Sequence, residues 1–234
     1  MADIHAWAPG QVLKLFRAGL PRFLGEHEAR MTRAVFAAGG PAPEVLGEVT
    51  LDGRFGIVLP RLDGPTLLKL LLTDAITPEE AGAILATLCM SVHKTPPPPD
   101  VPALDTNIDA QLRLAGDKLP KHVAAGVLTL FERLPPADGV CHCDLHPANV
   151  IMTAEGPRLI DWWGAKRGGA ALDLACSHVI LSELAPDSFG DPKRQRAVDA
   201  SMQSEYARQA GMSGAALTTA MRPYVSIIRV LVLL

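Results

Sequence analysis

The chain has 234 residues, of which 48% are hydrophobic and 20% are charged, and its formal net charge is −3. This composition is ordinary for a soluble globular protein, and without a basic excess we expect no nucleic acid and no anionic membrane surface as a partner. Four cysteines are too few for a disulfide scaffold, and the first ten residues lack the pattern of a signal peptide. The apolar run at residues 224–234 is about half as long as a membrane span. We therefore expect a cytoplasmic protein.

The first sixty residues predict a strand-rich segment with one helix. An apolar run at residues 12–16 indicates a strand, and residues 3–7 are expected to form its hairpin partner. A helical stretch over about residues 23–38 follows and ends at glycine and proline. Residues 45–49 and 54–59 then flank an Asp-Gly pair, which is a strong hairpin turn signal. The predicted order is strand, strand, helix, strand, strand.

After a connector at residues 60–64, the hydrophobic periodicity becomes helical. Thr77 can cap a helix, Pro78 suits its first turn, and Glu80 can reach back to complete a capping box. Further helices are predicted over residues 107–118, 121–134, 170–184, 192–209 and 214–234. Short strands are predicted over residues 139–143, 149–153 and 158–160, and the last two are expected to form a hairpin.

Three oxygen-bearing side chains are predicted to meet beside this second hairpin. Asp144 and Asn149 lie five residues apart in the loop that enters the hairpin, and Asp161 follows its last strand. Because a hairpin returns the chain to its starting point, Asp161 is expected close to Asn149. Mg²⁺ prefers a few hard oxygen ligands, which Asn149 and Asp161 can supply. Asp144 is then free to accept a hydrogen bond from a substrate hydroxyl and to direct it at the γ-phosphate of a nucleotide.

The sequence contains the motif His142-Cys143-Asp144-Leu145-His146-Pro147-Ala148-Asn149 and, downstream, Ile160-Asp161-Trp162. These two motifs resemble those of the aminoglycoside phosphotransferase and choline kinase family, which has the protein-kinase-like fold. The resemblance implies that Asp144 is the catalytic base and that Asn149 and Asp161 hold Mg²⁺. It also implies structural roles for His142, which holds the loop, and for Asp173, which braces the loop from a downstream Leu-Asp-Leu-Ala run.

The N-terminal segment agrees with this resemblance. Lys14 resembles the strand lysine that contacts the α- and β-phosphates of ATP, and Glu28 resembles the helical glutamate that pairs with that lysine. The phase of the helix decides between Glu28 and the nearby Glu26. The stretch from Leu59 to Leu62 is implied to contact adenine through backbone groups. ATP is the implied nucleotide, with GTP as an alternative, and Mg²⁺ is the implied cofactor.

The expected fold is α+β and two-lobed. A small mixed lobe, residues 1–62, is expected to bind nucleotide. A larger and mainly helical lobe, residues 63–234, is expected to carry the catalytic and substrate-binding residues. The family usually has a further strand and a phosphate-covering turn before residues 3–7, and we expect the small lobe to lack both.

The predicted activity is transfer of the γ-phosphoryl group to a hydroxyl group of an aminoglycoside-, choline- or sugar-like small molecule. Four acidic residues could meet a cationic acceptor, namely Glu183, Asp187, Asp191 and Glu205. Two alternatives stay open. A truncated kinase-like protein could bind nucleotide without catalysis. A zinc- or other metal-dependent hydrolase could be built from His142, Asp144, His146 and Asp161.

Overall fold

The computed structural model describes residues 1–104, 108, 112, 116, 119–184 and 187–232. Its first part contains strands β1 (Ala2–Ala6), β2 (Gln11–Phe16), β3 (Gly47–Leu51) and β4 (Arg54–Pro60) and helix α1 (Arg22–Ala37). The strands form one antiparallel sheet in the order β1-β2-β4-β3. Asp52 and Gly53 have positive φ angles of 48° and 73°, as the tight turn between β3 and β4 requires.

The core between the sheet and α1 fixes the direction of Lys14. Phe16 of β2 packs with Phe55 of β4 and with Ala29 of α1. Because side chains alternate along a strand, Lys14 points to the same side of the sheet as Phe16. Leu13 points to the opposite side and packs in a separate cluster. Lys14 is therefore directed towards α1.

The larger part of the chain is mainly helical. Its helices are α2 (Leu67–Leu72), α3 (Pro78–His93), α4 (Lys121–Glu132), α5 (Ala170–Val179), α6 (Pro192–Gln209) and α7 (Gly214–Val232). Helix α3 packs along α6, and α5 packs along α7. Gly82 permits the close packing of α3 on α6, since a Cβ atom at this position would stand 2.5 Å from Cβ of Ser201 on α6. The capping box of Thr77 and Glu80 begins α3 as predicted.

Helix α7 is long and apolar enough, with a mean hydropathy of 1.2, to cross a membrane by length and composition alone. Leu217, Met221, Tyr224 and Ile227 recur on one side of it, and all four are buried against the rest of the protein. This spacing is typical of an amphipathic helix on a globular core. Helix α7 is thus a packed element of the helical part.

Four short strands hold the loops that carry the sequence motifs. They are β5 (Gly139–Cys141), β6 (Val150–Thr153), β7 (Gly156–Leu159) and β8 (Lys166–Gly168). Strand β5 pairs with β8, and β6 pairs with β7, both in antiparallel register. We call residues 142–149, between β5 and β6, loop A, and residues 160–165, between β7 and β8, loop B. The strand pairs hold these two loops side by side.

The connector after β4 lies against β6. The main-chain nitrogen of Met152 donates a hydrogen bond of 2.9 Å to the carbonyl oxygen of Pro65. Gly64 has a φ angle of 153°, and a Cβ atom there would stand 1.9 Å from the carbonyl oxygen of Met152. Only glycine fits this position, so the connector is attached closely to the hairpin of β6 and β7.

The predicted α+β class is confirmed, whereas several predicted element bounds are wrong. The strand predicted over residues 139–143 ends at Cys141, because Cys143 has a left-handed φ angle of 60° that interrupts an extended chain. The last strand of the second hairpin begins at Gly156 rather than at residue 158. The helix predicted over residues 170–184 ends at Val179 and continues as a π-helical turn. The helix predicted over residues 107–118 lies largely outside the described residues.

An ion pair whose strength depends on pH ties α5 to α6. Nδ1 of His178 lies 2.7 Å from Oδ2 of Asp199. This hydrogen bond raises the pKa of His178 above its ordinary value, although burial opposes the shift. Because the folded-state pKa is raised, the pair stabilises the fold fully below the unfolded-state pKa, and this stabilisation is lost as the pH rises through the folded-state value.

We therefore predict that His178→Asn lowers Tm more at about pH 5.5 than at about pH 9. Thermal unfolding followed by circular dichroism across this range measures the difference. His122 is an exposed histidine of α4, and His122→Asn is the matched control, for which we expect little change at either pH. A Tm difference for His178→Asn that is constant with pH would contradict the prediction.

Candidate active site

A lysine, a glutamate and an aspartate from three elements meet where α1 faces loop B. Nζ of Lys14 lies 2.6 Å from Oε1 of Glu28 and 3.1 Å from Oδ2 of Asp161. Glu26, the alternative partner, instead pairs with Arg22 on the exposed side of α1. The phase of α1 therefore brings Glu28, and not Glu26, to Lys14.

Burial and charge act in opposite directions on this cluster. Burial raises the pKa of Glu28 to about 7, although the neighbouring ammonium of Lys14 opposes the shift. Burial alone would lower the pKa of Lys14, but the carboxylates of Glu28 and Asp161 outweigh it and raise that pKa above its ordinary value. Lys14 is therefore a charged ammonium in a largely enclosed place, which suits it to bind an anion.

A cavity of about 330 Å³ opens beside Lys14 and includes Glu28 and Asp161 in its wall. The rest of its wall is mostly apolar and includes Val12, Leu59, Leu62, Ile151 and Ile160. Small-molecule sites are commonly apolar cavities in which a few charged groups converge. The cavity can thus hold an organic ring against its apolar wall and an anionic group at Lys14.

Loop A holds Asp144 and Asn149 in direct contact. The side-chain amide of Asn149 donates hydrogen bonds of 2.9 Å to both the carbonyl oxygen and Oδ2 of Asp144. Oδ1 of Asp144 lies 3.4 Å from Nε2 of His146. Burial alone would raise the pKa of Asp144, but the hydrogen bonds from His146 and Asn149 hold it below its ordinary value. Asp144 is therefore an ionised carboxylate at neutral pH.

Backbone geometry brings loop B beside loop A. The main-chain nitrogen of Ile160 donates a hydrogen bond of 2.9 Å to the carbonyl oxygen of Asn149, and Asp161 is the next residue. Asp161 has a φ angle of 65°, which is uncommon for a residue other than glycine. The structure thus joins the cluster of Lys14, Glu28 and Asp161 to the pair formed by Asp144 and Asn149.

A buried carboxylate supports loop A from α5. Asp173 is fully buried and accepts hydrogen bonds from the main-chain nitrogens of His142 at 3.1 Å and of Cys143 at 2.7 Å. Its Oδ2 also lies 3.1 Å from Nε2 of His93, whose Nδ1 lies 2.8 Å from the hydroxyl of Tyr206. Loop A is therefore braced by side chains from α3, α5 and α6.

His142 connects the two loops directly. Its Nδ1 accepts a hydrogen bond of 3.2 Å from the main-chain nitrogen of Asp144, and its Nε2 lies 3.1 Å from the carbonyl oxygen of Ile160. Because a carbonyl oxygen can only accept, Nε2 must carry a proton. Because Nδ1 accepts a hydrogen bond, it carries none, and the ring is neutral in this arrangement. Both ring nitrogens are therefore used in holding the loops together.

We predict that Asp173→Ala lowers the free energy of unfolding by about 3 kcal/mol, because the main-chain nitrogens of His142 and Cys143 and the ring of His93 lose the carboxylate that they contact. Urea unfolding followed by circular dichroism measures this change. Asp138→Ala is the matched control, since Asp138 is 66% exposed and lies 3.5 Å from Arg167. We expect a change of at most about 0.5 kcal/mol for the control. Equal losses for the two variants would show that Asp173 does not brace loop A.

The predicted metal-hydrolase site lacks a converging set of ligands. Within the described residues, the one group of such side chains whose ligand atoms all lie within 4.8 Å of one another is Cys89, His93 and Asp173. The four residues predicted for that site form no such group. Asp173 already accepts backbone hydrogen bonds from loop A, so the group that does form belongs to the brace of that loop.

Three of the four acidic residues considered for a cationic acceptor are engaged elsewhere. Glu183 forms a bidentate ion pair with Arg229, Asp191 caps the start of α6, and Glu205 pairs within its own helix. The side chain of Asp187 lies outside the described residues. The expectation that Glu183, Asp191 and Glu205 meet an acceptor is therefore not supported by their contacts.

Two contacts around the site have little signal in the sequence. In the sequence, His93 is recognisable only as a residue at the end of a helix, and its contact with Asp173 joins two helices that are distant along the chain. Nε2 of His27 lies 3.2 Å from the carbonyl oxygen of Trp163 in loop B, and the two rings meet edge to face. The position of His27 beside Glu28 is a weak signal that it also faces loop B.

Lys14 of the small sheet pairs with Glu28 of its helix, and the pair faces Asp161 from the mainly helical part. This arrangement and the fold define a phosphotransferase of the protein-kinase-like fold. A sequence profile of the phosphotransferase enzyme family matches residues 6–212, and this chain belongs to that family. No curated protein sequence matches the chain. The family acts on hydroxyl groups of small molecules, in agreement with the class predicted from the motifs.

Solved structures show the same fold at low sequence identity. A type VIII aminoglycoside-3′-phosphotransferase is 20% identical with a TM-score of 0.60, over 92% of this chain and 84% of that one. An aminoglycoside phosphotransferase from Streptomyces rimosus, solved with ADP and streptomycin, is 18% identical with a TM-score of 0.60, over 92% and 87%. A choline/ethanolamine kinase family protein from Mesorhizobium loti is 19% identical with a TM-score of 0.61, over 95% and 71%.

Proposed function

We propose that this protein transfers the γ-phosphoryl group of ATP to a hydroxyl group of a small molecule. The observation that carries the proposal is the contact of 3.1 Å between Lys14 and Asp161 at the wall of an apolar cavity. Two proteins of the same fold were solved with ADP and an aminoglycoside, which supports the nucleotide and the acceptor class. GTP is the alternative nucleotide.

The residues predicted to bind the nucleotide or to support the loops each have a role in this proposal. Leu59 and Leu62 hold the adenine ring on the apolar wall. Lys14 binds phosphate oxygens through its ammonium group, and Glu28 keeps that group charged and directed into the cavity. A buried ammonium binds phosphate more strongly than an exposed one, because water screens it less. His142 and Asp173 keep the loops in register.

The donors at the two loops fit Mg²⁺. Asn149 uses its amide nitrogen to hold Asp144, which leaves its amide oxygen for a cation, and Asp161 offers a carboxylate. These are hard oxygen ligands of the kind that Mg²⁺ prefers. Mg²⁺, when bound, neutralises charge on the transferred phosphoryl group. Asp144 orients the acceptor hydroxyl and accepts its proton as the new P–O bond forms.

The proposal assigns the nucleotide to residues 1–62 and the catalytic loops and acceptor to residues 63–234, in a cytoplasmic enzyme. Aminoglycoside-, choline- and sugar-like acceptors all fit it. Glu183, Asp191 and Glu205 have partners of their own, so a cationic acceptor would have to meet other oxygen atoms. The acceptor class is therefore left to experiment.

The test is formation of ADP from ATP and Mg²⁺ with acceptors of each class, and the same assay with GTP. Lys14→Met should lower kcat/KM by about 100-fold, because the phosphates lose a preorganised charge. Lys193→Met, at an exposed lysine of α6, is the matched control and should behave as the parent. Unchanged kcat/KM in Lys14→Met would overturn the proposal. Nucleotide binding with no turnover on any acceptor would favour the non-catalytic alternative.

A further inference from the structure

His27 of α1 makes a direct contact with loop B beside the ion pairs of Lys14. Its Nε2 lies 3.2 Å from the carbonyl oxygen of Trp163, and the two rings meet edge to face with their centroids 6.1 Å apart. Helix α1 packs on the small sheet, whereas loop B belongs to the mainly helical part. The side chain of His27 therefore joins the two parts of the protein at the candidate active site.

Arg30 fixes which nitrogen of this ring carries the proton. A carbonyl oxygen can only accept a hydrogen bond, so Nε2 donates to Trp163. The guanidinium of Arg30, which can only donate, lies 3.1 Å from Nδ1, so Nδ1 accepts and carries no proton. Burial and the charges of Arg30 and Lys166 lower the pKa of His27, although the bond to the Trp163 carbonyl opposes the shift. The ring is therefore neutral at neutral pH, in the tautomer that the contact requires.

The contact lies next to the residues proposed to bind phosphate and metal. Consecutive residues of a helix project about 100° apart, so α1 presents Glu28 to Lys14 and the adjacent His27 to loop B. In loop B, Trp163 follows Asp161 by two residues. The hydrogen bond of His27 thus crosses the same gap as the 3.1 Å contact between Lys14 and Asp161.

We propose that His27 is a positioning residue that holds α1 against loop B, so that Lys14 and Asp161 stay within reach of one nucleotide. The contact uses only the His27 ring and a main-chain carbonyl oxygen, and neither is among the groups proposed to bind phosphate or metal. It can therefore stay formed while a nucleotide occupies Lys14 and Asp161. The effect on catalysis rests on the proposed function, whereas the joining of α1 to loop B does not.

Two substitutions of His27 separate the hydrogen bond from the bulk of the side chain. His27→Leu removes the donor, whereas the amide of His27→Gln can donate to the Trp163 carbonyl oxygen as Nε2 does. Leucine and glutamine both favour a helix, so the Tm of each variant should stay within about 2 °C of the parent. His122→Leu, at an exposed histidine of α4, is the matched control.

Amide hydrogen exchange of the peptide that covers residues 160–165 gives the first readout. Exchange should be at least about threefold faster in His27→Leu and parental in His27→Gln, because a lost hydrogen bond frees loop B to open locally. Steady-state ADP formation from ATP and Mg²⁺ with a responsive acceptor gives the second readout. The kcat should fall about fivefold in His27→Leu and stay within about twofold of the parent in His27→Gln. His122→Leu should match the parent in both.

Parental exchange or parental kcat in His27→Leu, or equal losses in His27→Leu and His27→Gln, would overturn the inference. A parent that makes no ADP with acceptors of each class would reject the phosphotransferase proposal. If exchange in that protein is still faster in His27→Leu and restored in His27→Gln, the contact between α1 and loop B is retained. If His27→Leu does not fold, His27→Glu takes its place, because it matches His27→Gln in shape but offers no donor.

Discussion

Asp144→Asn is expected to lower kcat by about 10³-fold, because it removes the group that accepts the proton of the acceptor hydroxyl. Asparagine has nearly the same shape and still offers an oxygen to the amide of Asn149, which donates to Oδ2 of Asp144 at 2.9 Å in the parent. Loop A should therefore keep its conformation. Steady-state ADP formation with a responsive acceptor measures kcat, and calorimetric titration measures nucleotide binding.

Nucleotide affinity separates loss of chemistry from loss of structure in this variant. The Kd for ADP should stay within about twofold of the parent, since Lys14 and the apolar cavity are unaltered. Asp63→Asn is a matched control, because Asp63 is 77% exposed and pairs only with the nearby Arg61 among the described residues. A kcat equal to that of the parent would reject Asp144 as the catalytic base.

Asp161→Asn is expected to raise the Mg²⁺ concentration for half-maximal rate at least about tenfold and to lower kcat by about 100-fold. The variant loses a carboxylate ligand, and Lys14 loses one of its two anionic partners at 3.1 Å. ADP formation over a range of Mg²⁺ concentrations, at saturating ATP, measures both effects.

Asp63→Asn serves as the control here as well, and its Mg²⁺ dependence should match that of the parent. Glu28→Gln gives a second comparison, because it disturbs Lys14 without removing a proposed metal ligand. We expect Glu28→Gln to weaken nucleotide binding while leaving the Mg²⁺ requirement unaltered. An unchanged Mg²⁺ requirement in Asp161→Asn would mean that the ion is held elsewhere.

Local patterns predict the elements near the site well because those patterns have direct physical causes. The Asp-Gly pair between β3 and β4 can adopt positive φ angles, and the Thr77 capping box satisfies backbone donors at the start of α3. The helix predicted over residues 192–209 matches α6. In each case the residues at the boundary carry the local signal that marks where the element begins or ends.

Other elements depend on contacts that no local pattern contains. Helix α2 was not predicted, and Leu67 and Leu71 make it helical by filling the core beneath β6. Strand β8 was not predicted either, because three residues form a strand only where β5 pairs with them. The break after Val179, where a π-helical turn begins, has the same origin in packing between helices.

The candidate site also has features that local patterns predict and features that depend on packing between distant elements. The loops follow from the two motifs, and the alternation along β2 directs Lys14 towards α1. The choice of Glu28 over Glu26 required the phase of α1, which the contacts of Lys14 and Arg22 provide. The contact of His93 with Asp173 joins α3 to α5, two helices that are distant in the sequence. Helix-to-helix packing is set by shape at distant positions, so it was beyond the reach of the sequence patterns.

Gly64 lies so close to Met152 that the connector cannot move freely relative to the hairpin at this point. On the proposed function, we therefore expect the chain to bend between Pro60 and Gly64 when nucleotide is exchanged. The hairpin would then move as one body with the helices. Asn149 and Asp161 would stay together throughout a cycle of opening, while Lys14 and Glu28 would travel as a pair with the sheet. On the proposed function, we therefore expect the ion pair between Lys14 and Asp161, 3.1 Å apart here, to separate when a nucleotide enters and to form again on closure.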